Sequence, residues 1–444
     1  MQLLRLVLFL PLLVTTAVAQ QPSSLEGTRF VFAVPQNFRN DPARLGIVQT
    51  KPPHPSNIVI ALSARQATTA RVVVPGVLDT SVSVGTSAVT YVSVDAVATE
   101  VSRTAQEASN RSFTITSPRP IAATVTSVRF QTSESFRPWP VELLGTEYRL
   151  MCYTKLAPDL LSTATVTAIE NNTDVTIEPS TPLESDVTTV RLMAGQTLSL
   201  SAKWNTEGTC DLTGTLVRSS KPVSVVSGHT CAYVPARIEA CNVLLEQMPP
   251  VNRWGDQHFT SVPYNRSRGT LRILAHYDDT RLTISDQEPI TLAAGKFHEL
   301  SSSQPLAIIA THPVLVASFS QGFRNGDSVG DPSYAIVTPA SMVGTEGRIY
   351  SPVPIDLWDA AALITGPTAA IEAFRTSIAA GATLDRQSVD GQVSTIAVSL
   401  SNAAQILQVP PGCSVSLWGT GKTNAVMAFD AWSYTPMWAP TKSR

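Results

Sequence analysis

Two short patterns recur along this chain at intervals of about a hundred residues. Such self-similarity confines a chain to architectures assembled from copies of one unit. The first pattern is a glycine-led strand: Gly27-Thr28-Arg29-Phe30, Gly145-Thr146-Glu147-Tyr148, Gly255-Asp256-Gln257-His258-Phe259 and Gly344-Thr345-Glu346. The second is a β-branched strand led by proline: Arg119-Pro120 before IAATVTSV, Lys221-Pro222 before VSVVSGH and His312-Pro313 before VLVASFS. Thr423-Asn424 before AVMAF is taken as the fourth, without the proline. The glycines step by 118, 110 and 89 residues and the second landmark by 102, 91 and 111. Two landmarks with similar periods divide the chain into a leader, 1–19, and four units, 20–140, 141–250, 251–339 and 340–444.

Within a unit the pattern is that of short strands. ATVTAIENNTDVTIEP in the second unit and LRILAHYDDTRLTISD in the third alternate with period two around an Asx-rich turn and read as hairpins. A glycine-containing strand follows, VRLMAGQTLSL or ITLAAGKFHEL. Thr, Ser, Val and Ala dominate, prolines number 32, and amphipathic helical runs are scarce, which makes the chain all-β. Five or six strands per unit suit tandem antiparallel sandwich-like repeats, each with its own core. A propeller-like ring is the alternative and requires the chain ends to meet. TAAIEAFRTSIAAG is the exception: Ile371, Phe374 and Ile378 have helical spacing, so one short helix is expected near 370–380, with Gly381 as its cap.

The first 19 residues have the form of a secretory signal, with Arg5, an apolar run from Leu6 to Val14, and Ala17-Val18-Ala19 before a cut at Gln20. No later apolar run reaches the roughly 20 residues of a membrane-spanning helix. The expected location is therefore secreted and extracellular, with no membrane span. A net charge of −2 with 15% charged residues leaves no electrostatic footprint for nucleic acid. Export places Cys152, Cys210, Cys231, Cys241 and Cys413 where disulfides form. Cys231 and Cys241 bracket AYVPARIEA, and a bridge between them pins a projecting loop. Cys152–Cys210 is the second expected pair, while a 210–413 bridge requires a closed ring.

Catalytic signals are weak. The six histidines form neither HExxH nor a close cluster, and no GxSxG elbow or phosphate loop exists. Neither a cofactor nor a metal is expected. Asp327, Gly330 and Asp331 are the better calcium candidate, though a solvated loop is the favoured reading there; Asp278-Asp279 occupies the place of Asn171-Asn172 and fits turn chemistry. A hydrolase would need two of Asp256, Asp278, Asp279, Asp327, Asp331 and Asp356 to converge in a cleft. Asn110, Asn171 and Asn265 head Asn-X-Ser/Thr sequons and are candidate glycosylation sites. Residues 229–254 carry Tyr233, Leu244, Leu245, Met248 and Trp254, types that favour interfaces when exposed. The competing reading is that Leu244, Leu245 and Trp254 cover a joint between units. Tyr233, Arg237 and Glu239, between the cysteines, are the candidate contact residues.

The stretch DLTGTLVRSSKPVSVVSGHTCAYVP…ACNVLLEQMPPVNRWG resembles the centre of the IgGFc-binding protein N-terminal domain family. The similarity extends to VELLGTEYRLMCYTK upstream and to HPVLVASFSQG and GDPSYAIVTP downstream. The resemblance implies an exported protein of mucus or matrix with adhesive or Fc-binding properties. This chain lacks the Cys-rich repeats that follow the domain in the name-giving protein, and the matching positions are strand and turn residues with no Fc motif to transfer, so architecture carries over while polymerisation and immunoglobulin binding do not. The expected function is extracellular binding or adhesion, with a protein or glycan as partner. A structural matrix component and, third, a carbohydrate-active hydrolase are the alternatives.

Overall fold

The computed structural model describes residues 25–38, 57–102, 108–129, 132–206, 210–238, 241–285, 287–325, 327, 330–353, 357–376, 382–400, 403–422 and 429–434. Residues 1–19 and Asn424 lie outside them. The first unit is one seven-stranded antiparallel sheet made of β1 (Gly27–Phe32), β2 (Asn57–Ala64), β3 (Thr68–Val74), β4 (Leu78–Val84), β5 (Thr90–Asp95), β6 (Phe113–Arg129) and β7 (Thr132–Phe136). A one-turn helix, α1 (Ala96–Thr99), follows β5. The long strand β6 organises the sheet. Its first half pairs with β1 and β3, its second half with β2 and β7, while β4 and β5 flank β3 and β2. The sheet bends between the halves and folds over one core. Phe32 of β1 stacks on Phe113 at 5.3 Å and meets Phe136 of β7 edge-on at 5.6 Å, bridging the two halves. The first unit is thus a sandwich whose two layers share a strand.

The second unit repeats this topology with β8 (Gly145–Arg149), β9 (Ser162–Ala168), β10 (Thr173–Glu178), β11 (Thr189–Leu192), β12 (Thr197–Ser201), β13 (Leu216–Tyr233) and β14 (Cys241–Gln247). The third does so with β15 (Gly255–Thr260), β16 (Gly269–Ala275), β17 (Thr280–Ile284), β18 (Ile290–Leu292), β19 (Phe297–Ser302), β20 (Leu306–Ser320) and β21 (Ser333–Ile336). Pro120, Pro222 and Pro313 do not open their strands. They sit in the middle of β6, β13 and β20, next to the register shift where the sheet bends. A missing N–H is tolerated at such a bulge and nowhere else in a central strand. The residue after each proline pairs with the unit's leading glycine: Ile121 with Gly27, Val223 with Gly145, Val314 with Gly255. The two sequence landmarks are therefore the two sides of one bend. The glycines are required by close packing: a Cβ there would lie 2.5, 2.6 and 2.3 Å from the Cβ of Pro140, Pro250 and Pro339, which end the three units.

The expected hairpins are a correction. β9 and β10 do not pair with each other; both lie along β13, β9 on its second half and β10 on its first. The Asn171-Asn172 turn carries the chain around the bend beside Pro222. Asn171 Oδ1 accepts from Ala194 N at 3.0 Å and Asn172 takes a φ of 55°. Asp278 accepts from Ala294 N at 2.9 Å and Asp279 has a φ of 53° at the matching corner of the third unit. Asx side chains satisfy the turn amides and tolerate left-handed backbone.

The fourth unit departs from the pattern. β22 (Glu346–Ile349) pairs with β26 (Gln405–Gln408), and a five-stranded sheet runs β24 (Ala382–Gln387), β25 (Val393–Ser399), β23 (Leu357–Pro367), β27 (Ser414–Lys422), β28 (Phe429–Tyr434). Pro410-Pro411-Gly412 divides the long strand in two. By its pairing, β27 takes the place of the closing strand, which ends before Thr423 rather than starting at Asn424. The expected helix is α2 (Thr368–Arg375), capped by Thr376, with Ile371 fully buried; Ile378 and Gly381 lie outside the described residues.

The four units close a ring. The last strands, β7, β14, β21 and β28, each lie beside the next, and β28 returns to β7. Glu134 of β7 reaches across to the third unit, accepting from Ser333 Oγ at 2.9 Å and Tyr334 N at 3.0 Å. The seam between the fourth and first units carries Arg65 with Glu346 and Arg348 Nε with Ser63 Oγ at 2.8 Å. The first two cores extend onto their neighbours: Val226, Val243 and Leu245 of the second unit complete the first unit's core, and Leu315, Ala317, Phe319 and Tyr334 of the third complete the second's. Hence the second halves of the long strands are buried on both faces, while the first halves alternate. The sandwich and the ring, alternatives in the sequence, are both present.

Candidate functional site

β13 and β14 form a genuine hairpin that projects beyond the sheet, with Cys231 and Cys241 joined by a disulfide at a Cα separation of 5.2 Å. That spacing is ordinary for a bridge. Tyr233 pairs with Cys241 and is half-buried. The tip follows: Val234 is buried, Val234–Pro235 is cis, and Ile238 N returns to Pro235 O at 3.1 Å. Ala236 and Arg237 are exposed, Arg237 with a φ of 74°. Gly322 N of the third unit donates to Val234 O at 2.8 Å, so the tip is tied to a neighbour as well as stapled. Glu239 lies outside the described residues.

The rest of 229–254 is not a surface. Leu244, Leu245, Met248 and Trp254 are all buried, and Leu244 and Leu245 fill the cores of different units. They are joint residues because alternate positions of β14 face alternate units. His229 lies below the tip. Its Nδ1 accepts from Cys231 N at 3.1 Å, Nε2 has no partner among the described residues, and burial lowers its pKa to about 3, so it is neutral.

The expected Cys152–Cys210 bridge is absent; both are free, buried thiols, as is Cys413, so no 210–413 bridge exists either. The Cys152 sulfur faces the Thr163 carbonyl at 3.6 Å, whereas that of Cys210 lies against Asn205 N at 3.1 Å. Cys413 packs on Gly366 in the fourth unit. Asn110, Asn171 and Asn265 are all exposed. Ser267 N donates to Asp327 Oδ1 at 2.9 Å, and the buried Arg266 guanidinium lies against Gly330. No group of three or more His, Cys, Asp or Glu suited to a metal occurs among the described residues. Asp256 lies on β15 and Asp278 and Asp279 on a corner, all exposed, while Asp356 lies outside the described residues. A cleft between the third and fourth units is lined by Phe259, Ser261, Ser318, Thr365, Ser414 and Ser416, with no carboxylate.

Sequence reasoning missed the joint beneath the hairpin. Arg272 of β16, with a side chain 2% exposed, donates to Asp211 Oδ2 at 2.8 Å, Glu299 Oε2 at 2.7 Å and the Cys152 carbonyl at 2.8 Å. Its guanidinium lies 4.0 Å from the Tyr153 ring centroid and 4.5 Å from that of Phe297. Burial alone would lower its pKa, but Asp211 and Glu299 hold it above the usual arginine value. An arginine inside LRILA, at a strand position where its sister units carry the uncharged Thr165 and Ala61, was the available signal.

The whole stretch from this joint through the hairpin to the third unit matches a family model. The model is that of the IgGFc binding protein, and the match covers residues 136–408, more than half of the chain. The chain belongs to the IgGFc binding protein family. It is 28% identical over 228 residues to the IgGFc-binding protein of Homo sapiens, an alignment covering 50% of this chain and 4% of that relative. The chain therefore spans a small part of that relative's length. No solved structure matches. The IgGFc binding protein match begins at the end of the first unit and stops at β26, so the second and third units, the disulfide hairpin and their joint fall within it. No described helix is long and apolar enough to cross a membrane.

Proposed function

We propose that this member of the IgGFc binding protein family is an exported, non-enzymatic binding or adhesion protein that engages an extracellular protein or glycan through its loops, foremost the tip between Cys231 and Cys241. The observation that supports this is a tip held at three points, by the bridge, by strand pairing and by Gly322, with Ala236 and Arg237 exposed. Rigid presentation lowers the ordering cost of binding, which is what a recognition loop needs. Buried Arg272 serves the scaffold, not the contact. The name of the human relative makes purified immunoglobulin Fc the first probe. Purified mucins and immobilised matrix proteins are the others. The test compares the full chain with an Arg237→Ala, Glu239→Ala variant and with a shortened tip. Arg237 is exposed, and a substitution there costs within about 0.5 kcal/mol; an unchanged melting temperature of the double variant checks that folding is retained. Binding that falls with both changes supports the tip. Binding indifferent to both makes the bridge a staple, and self-association in place of capture favours the matrix reading.

A further inference from the structure

Three units solve one problem at their bends: the residue before the proline must be held against the turn passing beside it. In the first unit Arg119 Nη1 donates to Gln66 Oε1 at 3.1 Å. In the second Lys221 faces Glu170 at 3.9 Å. In the third the pair is His312 and Tyr277, ring centroids 5.6 Å apart. The positions correspond by register, since Ala64, Ala168 and Ala275 pair with Ile121, Val223 and Val314. A solvated polar pair therefore suffices for the fold, and the aromatic pair is not explained by it.

The Tyr277 ring is 46% exposed and nevertheless fixed. His276 meets it edge-on at 4.7 Å, and His276 is itself positioned by Arg149 Nε–H donating to its Nδ1 at 3.1 Å and by Trp254 at 6.0 Å. Thr311 Oγ1 accepts from Arg281 N at 3.0 Å and lies 3.5 Å from His312 Nδ1. His312 Nε2 and the Tyr277 hydroxyl have no partner among the described residues. The adjoining outer face changes in the same sense: where the second unit has Arg218 paired with Glu147 and Glu178, the third has Ile309, 50% exposed.

We propose that this corner binds glycan, with Tyr277 stacking on the C–H face of a neutral pyranose. His312 Nε2, the tyrosyl hydroxyl and the Asp279 carboxylate supply the hydrogen bonds to its hydroxyl groups. A tyrosine offers a large, rigid, amphipathic face at low entropic cost, and clamping by two imidazoles lowers that cost further. The ring stands on a turn with exposed Asp278 and Asp279 beside it, which suits a small uncharged ring and repels an acidic one. This rests on the chain being a binding protein, not on the hairpin tip.

The test uses the full chain on immobilised neutral oligosaccharides ending in galactose, N-acetylgalactosamine, N-acetylglucosamine, mannose or fucose, with sialylated forms alongside. The decisive variant, Tyr277→Glu with His312→Lys, installs the second unit's own pair and so keeps the corner folded. Retention of a neutral class by the parent and by Tyr277→Trp, with a loss of about tenfold or more in the double variant at unchanged melting temperature, is the expected result. The proposal is overturned if the parent retains no neutral glycan, if only sialylated forms are held, or if the double variant binds as the parent does. Trimming the hairpin tip leaves retention intact; if trimming abolishes it, the glycan site is at the tip and the corner assignment fails.

Discussion

Arg272→Met tests whether the second and third units are locked by a buried charge. The thioether keeps much of the volume but removes the guanidinium between Tyr153 and Phe297. Asp211 then remains with Thr213 N at 2.9 Å, Thr213 Oγ1 at 2.7 Å and Thr154 Oγ1 at 3.1 Å as donors, and no cation. Stranding one partner of a buried pair costs about 3–5 kcal/mol. Glu299, a third exposed, contributes little of this. The pH dependence has a definite sign. Burial would raise the Asp211 pKa, but Arg272 and the Thr213 bonds hold it below the usual value in the parent. Its stabilising contribution is present above the unfolded value of about 3.9 and lost as pH falls through the lowered folded value. Without Arg272 burial dominates and the folded pKa rises. The penalty then vanishes below about pH 4 and grows as pH rises through the raised value. Urea unfolding followed by tryptophan fluorescence at neutral and acid pH measures both. The cost of Arg272→Met is large at pH 7, smaller near pH 4, and mostly recovered by adding Asp211→Asn. A cost within about 1 kcal/mol at pH 7, or no recovery in the double variant, refutes the lock.

Two further outcomes follow from buried groups. His258 is fully buried, Nδ1 has no partner among the described residues, and burial lowers its pKa to about 3; the sister units carry Phe30 and Tyr148 at this place. A neutral buried histidine opposes acid: stability falls below the unfolded pKa of about 6.5 at up to about 1.4 kcal/mol per pH unit, so His258→Phe flattens the stability profile between about pH 6.5 and 4, read by melting temperature against pH. Burial pushes the Cys152 and Cys413 thiols up to about 12, so a thiol reagent leaves Cys152, Cys210 and Cys413 unmodified in the native protein and titrates three thiols after unfolding without reductant, whereas five would refute the Cys231–Cys241 bridge.

The repeat was legible because a bend in a long strand makes the same local demands each time. It needs a residue without Cβ on one side, a proline where a ladder bond is absent, and an Asx turn beside them. Gly145, Pro222 and Asn171 meet those demands through their own local chemistry, so sequence alone locates them. The bridge at Cys231 and Cys241 was legible for a related reason: ten residues with a turn between them bring two strands face to face.

Partnership across the chain was not legible. Period-two alternation around Asn171-Asn172 is identical for a hairpin and for two strands laid end to end along a third, and only β13, some forty residues later, decides between them. Cys152 and Cys210 share a unit, but their sulfurs face different surroundings, which depends on the packing of β9 and not on spacing. The seam at Arg65 and Glu346 joins residues 281 positions apart. Local sequence carries the energetics of turns, kinks and strand faces, because those involve neighbours in the chain. Which strand lies beside which, and that four units close into one ring, is set by burying both faces of β6, β13 and β20 at once. That condition exists only when the whole chain is folded.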